Sequence, residues 1–152
     1  MRILMVCLGN ICRSPLAEGI LQSKIQQRQL DWEVESAGTG NWHVGEPPDP
    51  RSVQIARQHG IDITTQRARQ FNSKDFSQYD LILAMDTSNH NNILHMAGSE
   101  EERQKVRMIM HYVDPERSQS VPDPYWTDAG FEQVFRLLDE ACARCIATHA
   151  EQ

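Results

Sequence analysis

The stretch VCLGNICRSP, residues 6–15, decides how this chain is read. It closes an apolar run, RILMVCL (2–8), that shows no alternation, the pattern of a strand buried on both faces of a parallel sheet. After Gly9 and Asn10 comes RSPLAEGILQSKIQQR (13–28), where Leu16, Ile20, Leu21 and Ile25 recur at helical spacing. Ser14 is read as the helix cap, and Pro15 suits the first turn. The stretch is therefore a strand-to-helix turn with a cysteine at the strand end and an arginine six residues on.

The same alternation runs outward along the chain. WEVESAG (32–38) reads as a second strand closed by glycine, and NWHVGEPPDP (41–50) as a loop. PRSVQIARQHG (50–60) reads as a helix stopped at Gly60. YDLILAM (79–85) is a third strand. DTSNHNNILHMAG (86–98) is a helix capped by Asp86, and KVRMIMHYV (105–113) is a fourth strand. PERSQSVPDPYW (115–126) is loop. TDAGFEQVFRLLDEACARCIATHA (127–150) is a last helix with Phe131, Val134, Phe135, Leu138, Cys142, Cys145 and Ile146 on one stripe. Strands alternating with helices predict an α/β fold around a parallel sheet with right-handed crossovers. Ligands of such folds sit beyond the carboxyl ends of the strands, where residues 7–14 lie.

Composition narrows the partners. The 152 residues suit one domain, 1–152, and a net charge of −6 argues against nucleic-acid or anionic-membrane binding. An anionic substrate stays compatible, since a local pocket can be positive on a negative protein. The amino-terminal MRILMVCLGN lacks the longer apolar core of a secretory leader, and no run reaches membrane-spanning length. A cytoplasmic location with reduced thiols is expected. Cys142 and Cys145 form a close pair, but Cys7 and Cys12 are set wider and Cys7 ends a strand. A buried helix face, not a zinc site, is the reading for the pair.

The chemistry follows from the loop. Gly9 and Asn10 tolerate left-handed backbone angles, so the loop can curl tightly and turn successive N–H groups inward as an anion nest. Such dipoles favour thiolate at Cys7, and cysteines at such sites fall several units below the free value of ~8.5. The planar fork of Arg13 matches two phosphate oxygens. No Gly-Lys-Ser/Thr follows, so this is not a Walker loop. A thiolate attacking phosphorus needs an acid for the departing oxygen. Asp123, stiffened between Pro122 and Pro124, supplies one, and Tyr125 and Trp126 suit an aromatic ring. Asp114 and Asp128 are rival acids, the first ahead of the loop and the second shaped as a helix cap. Taken singly, each residue has a plainer reading: a buried strand cysteine, a solvated arginine, a Pro-Asp-Pro turn.

VCLGNICRSP near the amino terminus, with DPYW late in the chain, resembles the low-molecular-weight protein tyrosine phosphatases. SAGTGNWHVGEPPDPR (36–51), HGID (59–62), RARQ (67–70), YDLILAMD (79–86) and GFEQVF (130–135) extend the likeness over nearly the whole chain. The resemblance implies a three-layer, flavodoxin-like fold with a four-stranded parallel sheet in the order 2-1-3-4 and helices on both faces. It implies hydrolysis of phosphotyrosine through a cysteinyl-phosphate, without metal or cofactor. Cys7 would be the nucleophile, Arg13 the phosphoryl-binding arginine and Asp123 the general acid. Leu8, Gly9, Asn10, Ile11 and Cys12 would complete the phosphate-binding loop, with Ser14 bonded to the cysteine sulfur and Ser36 supporting Asn10. Trp42, Tyr125 and Trp126 would line the pocket mouth. Phosphotyrosine proteins are the implied substrates and inorganic phosphate the product and competitive ligand; a monomer or weak dimer is expected.

One departure from the family pattern matters, and other positions separate the family's activities. Where members often carry a histidine bonded to the loop asparagine, this chain has Gln66, which can donate and accept. Phosphoarginine phosphatases of the family tend to have threonine at the place of Ile11. Arsenate reductases share the loop but use two further cysteines near the third strand, and none lies between residues 13 and 141 here. A phosphate- or phosphopeptide-binding module would need neither Cys7 nor Asp123. Two readings of Cys12 stand: a partner for a reversible disulfide with Cys7, or an inert packed thiol.

Overall fold

A computed structural model describes residues 1–126 and 130–150, the side chain of Trp126 excepted. Asp128 and the first three residues of the expected last helix thus lie outside the described residues, as does the side chain of Trp126. Four parallel strands, β1 (Arg2–Cys7), β2 (Glu33–Gly38), β3 (Leu81–Ala84) and β4 (Val106–Met108), pair in the order β2-β1-β3-β4. Among the described residues six α-helices accompany them: α1 (Arg13–Gln27), α2 (Pro50–Gln58), α3 (Asp75–Gln78), α4 (Thr87–Met96), α5 (Glu100–Gln104) and α6 (Phe131–Ala150).

The unbroken apolar run of β1 has a direct cause. Ile3, Met5 and Cys7 face the core shared with α1, α2 and α6, while Leu4 and Val6 face a second core with Phe76 of α3 and Ile93 of α4. Both faces of the strand are thus dry, as continuous hydrophobicity predicts. Having β2 on one side of β1 and β3 on the other creates a crevice at the carboxyl end of β1, where Cys7 stands. The edge strands are blunt. β2 exposes Glu33 and Glu35, both ion-paired to Arg2, and β4 is three residues long.

Helix ends follow the expected chemistry in two places. Asp86 caps α4 by accepting the Asn89 N–H at 2.7 Å, and α2 stops just before Gly60, whose φ is +77°. Ser14 differs from its reading as a cap. The N-cap of α1 is Cys12, without a side-chain cap bond, because the Ser14 hydroxyl lies inside the first turn and is engaged with Cys7 and Asn10. The segment 105–113 also differs. Only Val106–Met108 joins the sheet, and Ile109–Tyr112 turns into a 3₁₀ helix packed on α6. Burial of Ile109, Met110 and Tyr112 accounts for the apolar run without a strand, a case that periodicity cannot separate. The short helices α3 and α5 carry no apolar stripe long enough to read.

Gly19 is where α1 closes on the loop after α2. A Cβ there would stand 2.5 Å from the Ile63 Cγ2 and 3.0 Å from the Ile61 Cγ2. Gly19→Ala gains about 1 kcal/mol of helix propensity and loses about 1–3 kcal/mol to overpacking. The expected outcome is a lower urea midpoint for the variant; an unchanged or higher midpoint would refute the contact.

Candidate active site

The loop between β1 and α1 is held from outside by its carbonyls. Cys7 O accepts from Thr39 N at 2.9 Å, Leu8 O from Gly40 N at 2.9 Å and Ile11 O from Asp49 N at 2.8 Å. Cys12 O accepts from Leu16 N and the Ser52 hydroxyl. In a planar trans peptide the following N–H points opposite to the carbonyl. The amides of Leu8, Gly9, Cys12 and Arg13 therefore face the inner side of the loop, and that of Asn10 donates to Cys7 Sγ at 3.3 Å. One residue makes the reversal: Asn10 has φ +58°. Gly9 keeps an ordinary φ, and a Cβ on it would come 3.0 Å from the His43 ring. β2 also closes in, since a Cβ on Gly38 would lie 2.7 Å from Leu8 O.

Buried polar groups lock this shape. Asn10 Nδ2 donates to Ser14 Oγ (2.8 Å) and Ser36 Oγ (2.9 Å), and its Oδ1 accepts Arg69 N (3.0 Å). Ser14 Oγ lies 3.0 Å from Cys7 Sγ. Gln66 does not reach Asn10. Its Nε2 donates to Pro15 O at 3.1 Å, its Oε1 is buried without a hydrogen-bond partner among the described residues, and the asparagine oxygen is served by a backbone amide instead.

Arg13 is 2% exposed, with two hydrogen-bond acceptors and one further carboxylate at ion-pair distance. Its Nη1 donates to Asp86 Oδ2 (2.8 Å) and Val121 O (2.9 Å), and Nη2 stands 3.6 Å from Asp123 Oδ2. Burial disfavours its charge, but Cys7, Asp86 and Asp123 outweigh that and raise its pKa. Cys7, Leu8, Gly9, Ile11, Cys12, Arg13, Trp42, His43, Asp123 and Tyr125 line one cavity of about 300 Å³. Trp42 is exposed at its mouth. Asn10, Ser14 and Ser36 lie behind it as supports. Among the described residues no group of three or more His, Cys, Asp or Glu side chains is arranged to hold a metal.

Three thiols are raised chiefly by burial. Burial pushes Cys12 up to about 12, with Asp49, Cys7 and Asp123 adding to the effect. Cys145 is pushed up to about 11 and Cys142 further, both by burial inside α6. All four cysteines are free.

Three contributors escaped the sequence reading. Asp86 was legible only as a cap, yet its second oxygen holds Arg13; its place at the end of β3, beside β1, was the available signal. His43 lines the cavity and is bonded to Glu46 at 2.5 Å. Glu18, on α1 behind Ser36, has its carboxyl pushed up to about 7 by burial, with Glu35 adding and the Ser36 hydrogen bond and Arg69 opposing.

Fold and site define a class: a doubly wound α/β protein whose cysteine-bearing anion loop occupies the topological switch point. Comparison with known proteins narrows it. The model of the family described as low molecular weight phosphotyrosine protein phosphatase matches residues 2–152. The low molecular weight phosphotyrosine protein phosphatase of Sus scrofa is 37% identical over 155 residues, covering 99% of this chain and 94% of that one. The crystal structure of YfkJ from Bacillus subtilis matches with a TM-score of 0.93 at 36% identity, covering 99% of this chain and 95% of the other. That of DARP, a Drosophila arginine phosphatase, matches with a TM-score of 0.91 at 35% identity, covering 98% of each. The chain belongs to the low molecular weight phosphotyrosine protein phosphatases, a family of phosphoric monoester hydrolases.

Glu18 yields a prediction of sign. The folded protein keeps a proton that the unfolded chain releases from about 4.3 upward. Stability is therefore lost as pH rises from there through about 7. Glu18→Gln removes the penalty. Its urea midpoint should exceed that of the wild type at pH 8, with the gap shrinking toward pH 4.5; a gap independent of pH would contradict the assignment.

Proposed function

We propose that residues 1–152 act as one catalytic domain that hydrolyses phosphotyrosine in proteins by a two-step displacement. The Cys7 thiolate attacks phosphorus in line; the P–O bond to the phenol breaks as Asp123 gives its proton to the leaving oxygen. The inward amides of Leu8, Gly9, Cys12 and Arg13 and the Arg13 fork hold the equatorial oxygens as their charge rearranges. Asp123, now a carboxylate, takes a proton from water, which attacks the cysteinyl-phosphate; the S–P bond breaks and inorganic phosphate leaves. Ser14 donates to the sulfur when it carries charge, and Ser36 holds Asn10 in place. The reading needs no cofactor or metal.

The observation that carries this reading is the convergence of Cys7, Arg13 and Asp123 on one cavity, with Asp123 Oδ2 3.6 Å from the arginine that also borders the sulfur. Trp42 and Tyr125 as walls favour a flat aryl group, and Trp126 is proposed beside them. Phosphoserine is shorter and reaches the sulfur less well. DARP shares this fold, so the choice between phosphotyrosine and phosphoarginine falls to the pocket, where the apolar Ile11 supports phosphotyrosine. Inorganic phosphate is proposed as a competitive ligand, the cytoplasm as the location, and a monomer or weak dimer as the working state. A net charge of −6 supports protein substrates and not nucleic acid. No described helix is long and apolar enough to cross a membrane.

The test is turnover of phosphotyrosine, phosphoserine and phosphoarginine peptides in the presence of a chelator. Phosphotyrosine should be the preferred substrate and cleavage should vanish in Cys7→Ser. Asp123→Ala should lose about 10²–10⁴-fold in rate. Cleavage surviving Cys7→Ser would falsify the nucleophile, and faster phosphoarginine turnover would overturn the substrate class.

A further inference from the structure

Asp123 has prolines on both sides, which remove two backbone donors from its segment. The segment must be fixed through other groups, and two arginines do so. On the amino side, Val121 N donates to Met85 O (2.7 Å) and Val121 O accepts Arg13 Nη1 (2.9 Å). On the carboxyl side, Tyr125 O accepts Arg51 Nη2 (3.0 Å). Each clamped carbonyl lies two residues from Asp123. Tyr125 also gives its own N–H to Asp123 Oδ1 at 3.0 Å, which leaves Oδ2 as the oxygen on the Arg13 side.

Arg51 is itself held rigidly in the first turn of α2. Asp49 Oδ1 accepts the Arg51 N–H (2.8 Å) and Nε (3.0 Å), and its Oδ2 accepts Nη2 (3.1 Å). The Asp49 carboxyl is partly buried, which raises its pKa, but these bonds outweigh burial and keep it below the usual carboxylate range. The guanidinium lies 5.7 Å from the Tyr125 ring centroid and 4.9 Å from that of Phe131, the first residue of α6. It thus grips both the end of the Asp123 segment and the start of the last helix. A lysine has no planar fork and cannot serve these partners together.

We propose that Arg51 is a positioning residue for proton transfer: through the Tyr125 carbonyl it fixes the peptide whose N–H orients Asp123, so that Oδ2 carries the proton to the leaving group. The inference rests on the reading of Asp123 as the general acid. Arg51 does not border the cavity, so its effect falls on the acid and not on substrate contact.

A series of aryl phosphates separates the possibilities, because proton donation matters more as the leaving phenolate becomes more basic. In Arg51→Lys, kcat/KM for phenyl phosphate should fall roughly tenfold, part of the ~10²–10⁴ that proton transfer supplies, and that for 2,4-dinitrophenyl phosphate by less than about twofold. Asp123→Asn should show the same tilt more steeply, and the double variant should be no steeper than Asp123→Asn. Asp49→Asn, which keeps a good helix cap but weakens the grip on the fork, should tilt in the same direction and serves if Arg51→Lys does not fold. An equal loss for every ester in both Arg51→Lys and Asp49→Asn, beside a tilted Asp123→Asn, overturns the role of Arg51 alone. An untilted Asp123→Asn overturns the acid assignment itself. A double variant steeper than Asp123→Asn shows Arg51 acting elsewhere and also overturns the proposal.

Discussion

The site depends on one buried carboxamide. Asn10 takes a left-handed backbone angle that few residues tolerate, and both hydrogens of its Nδ2 and its Oδ1 are used. Its partners come from α1, from β2 and from the segment leading to α3, so a single side chain ties three parts of the fold to the loop. Arg69, which supplies the backbone amide, is anchored in turn by a two-point ion pair to buried Asp75 at 3.0 and 3.1 Å. Leaving any one of these buried groups without its partner costs about 1–3 kcal/mol. That cost makes the curl one shape among few, instead of one conformer among many.

From that constraint the electrostatics follow. With its carbonyls drawn outward by Thr39, Gly40 and Asp49, the loop has its amide dipoles aimed inward. An acidic protein thereby contains a small region of positive potential without spending many cationic side chains on it. Arg13 adds a full positive charge, and its direction is fixed by Asp86 and the Val121 carbonyl. The absent side chain of Gly38 lets the end of β2 approach the loop backbone closely enough to complete the enclosure.

The parallel sheet and the place of Cys7 could be read in advance because they rest on continuous features, apolar runs, helical stripes and turn residues, whereas the strand order was implied only by the family likeness. What could not be read depends on single atoms. Ser14 looks like a cap by position; its contact with the Cys7 sulfur was implied only by the family likeness, and no local pattern points to the hydrogen bond it accepts from Asn10. Asp86 is a cap and also a brace for Arg13, two uses of one carboxylate that no local pattern distinguishes. Gln66 occupies the expected position but spends its amide on Pro15 O. KVRMIMHYV has the composition of a strand, and its second half is drawn out of the sheet by burial against α6. Arg51 is one arginine among many until the carbonyl it serves is known.

The blunt sheet margins have a consequence for how the molecule behaves when crowded. An exposed strand edge can template addition of another chain, and such accretion leads toward fibrils. Here one margin carries the carboxylates of Glu33 and Glu35, and the other ends after three residues. Neither offers a long, uncharged ribbon for a neighbour to zip onto, so a high local dose of this protein meets a built-in obstacle to amyloid-like growth.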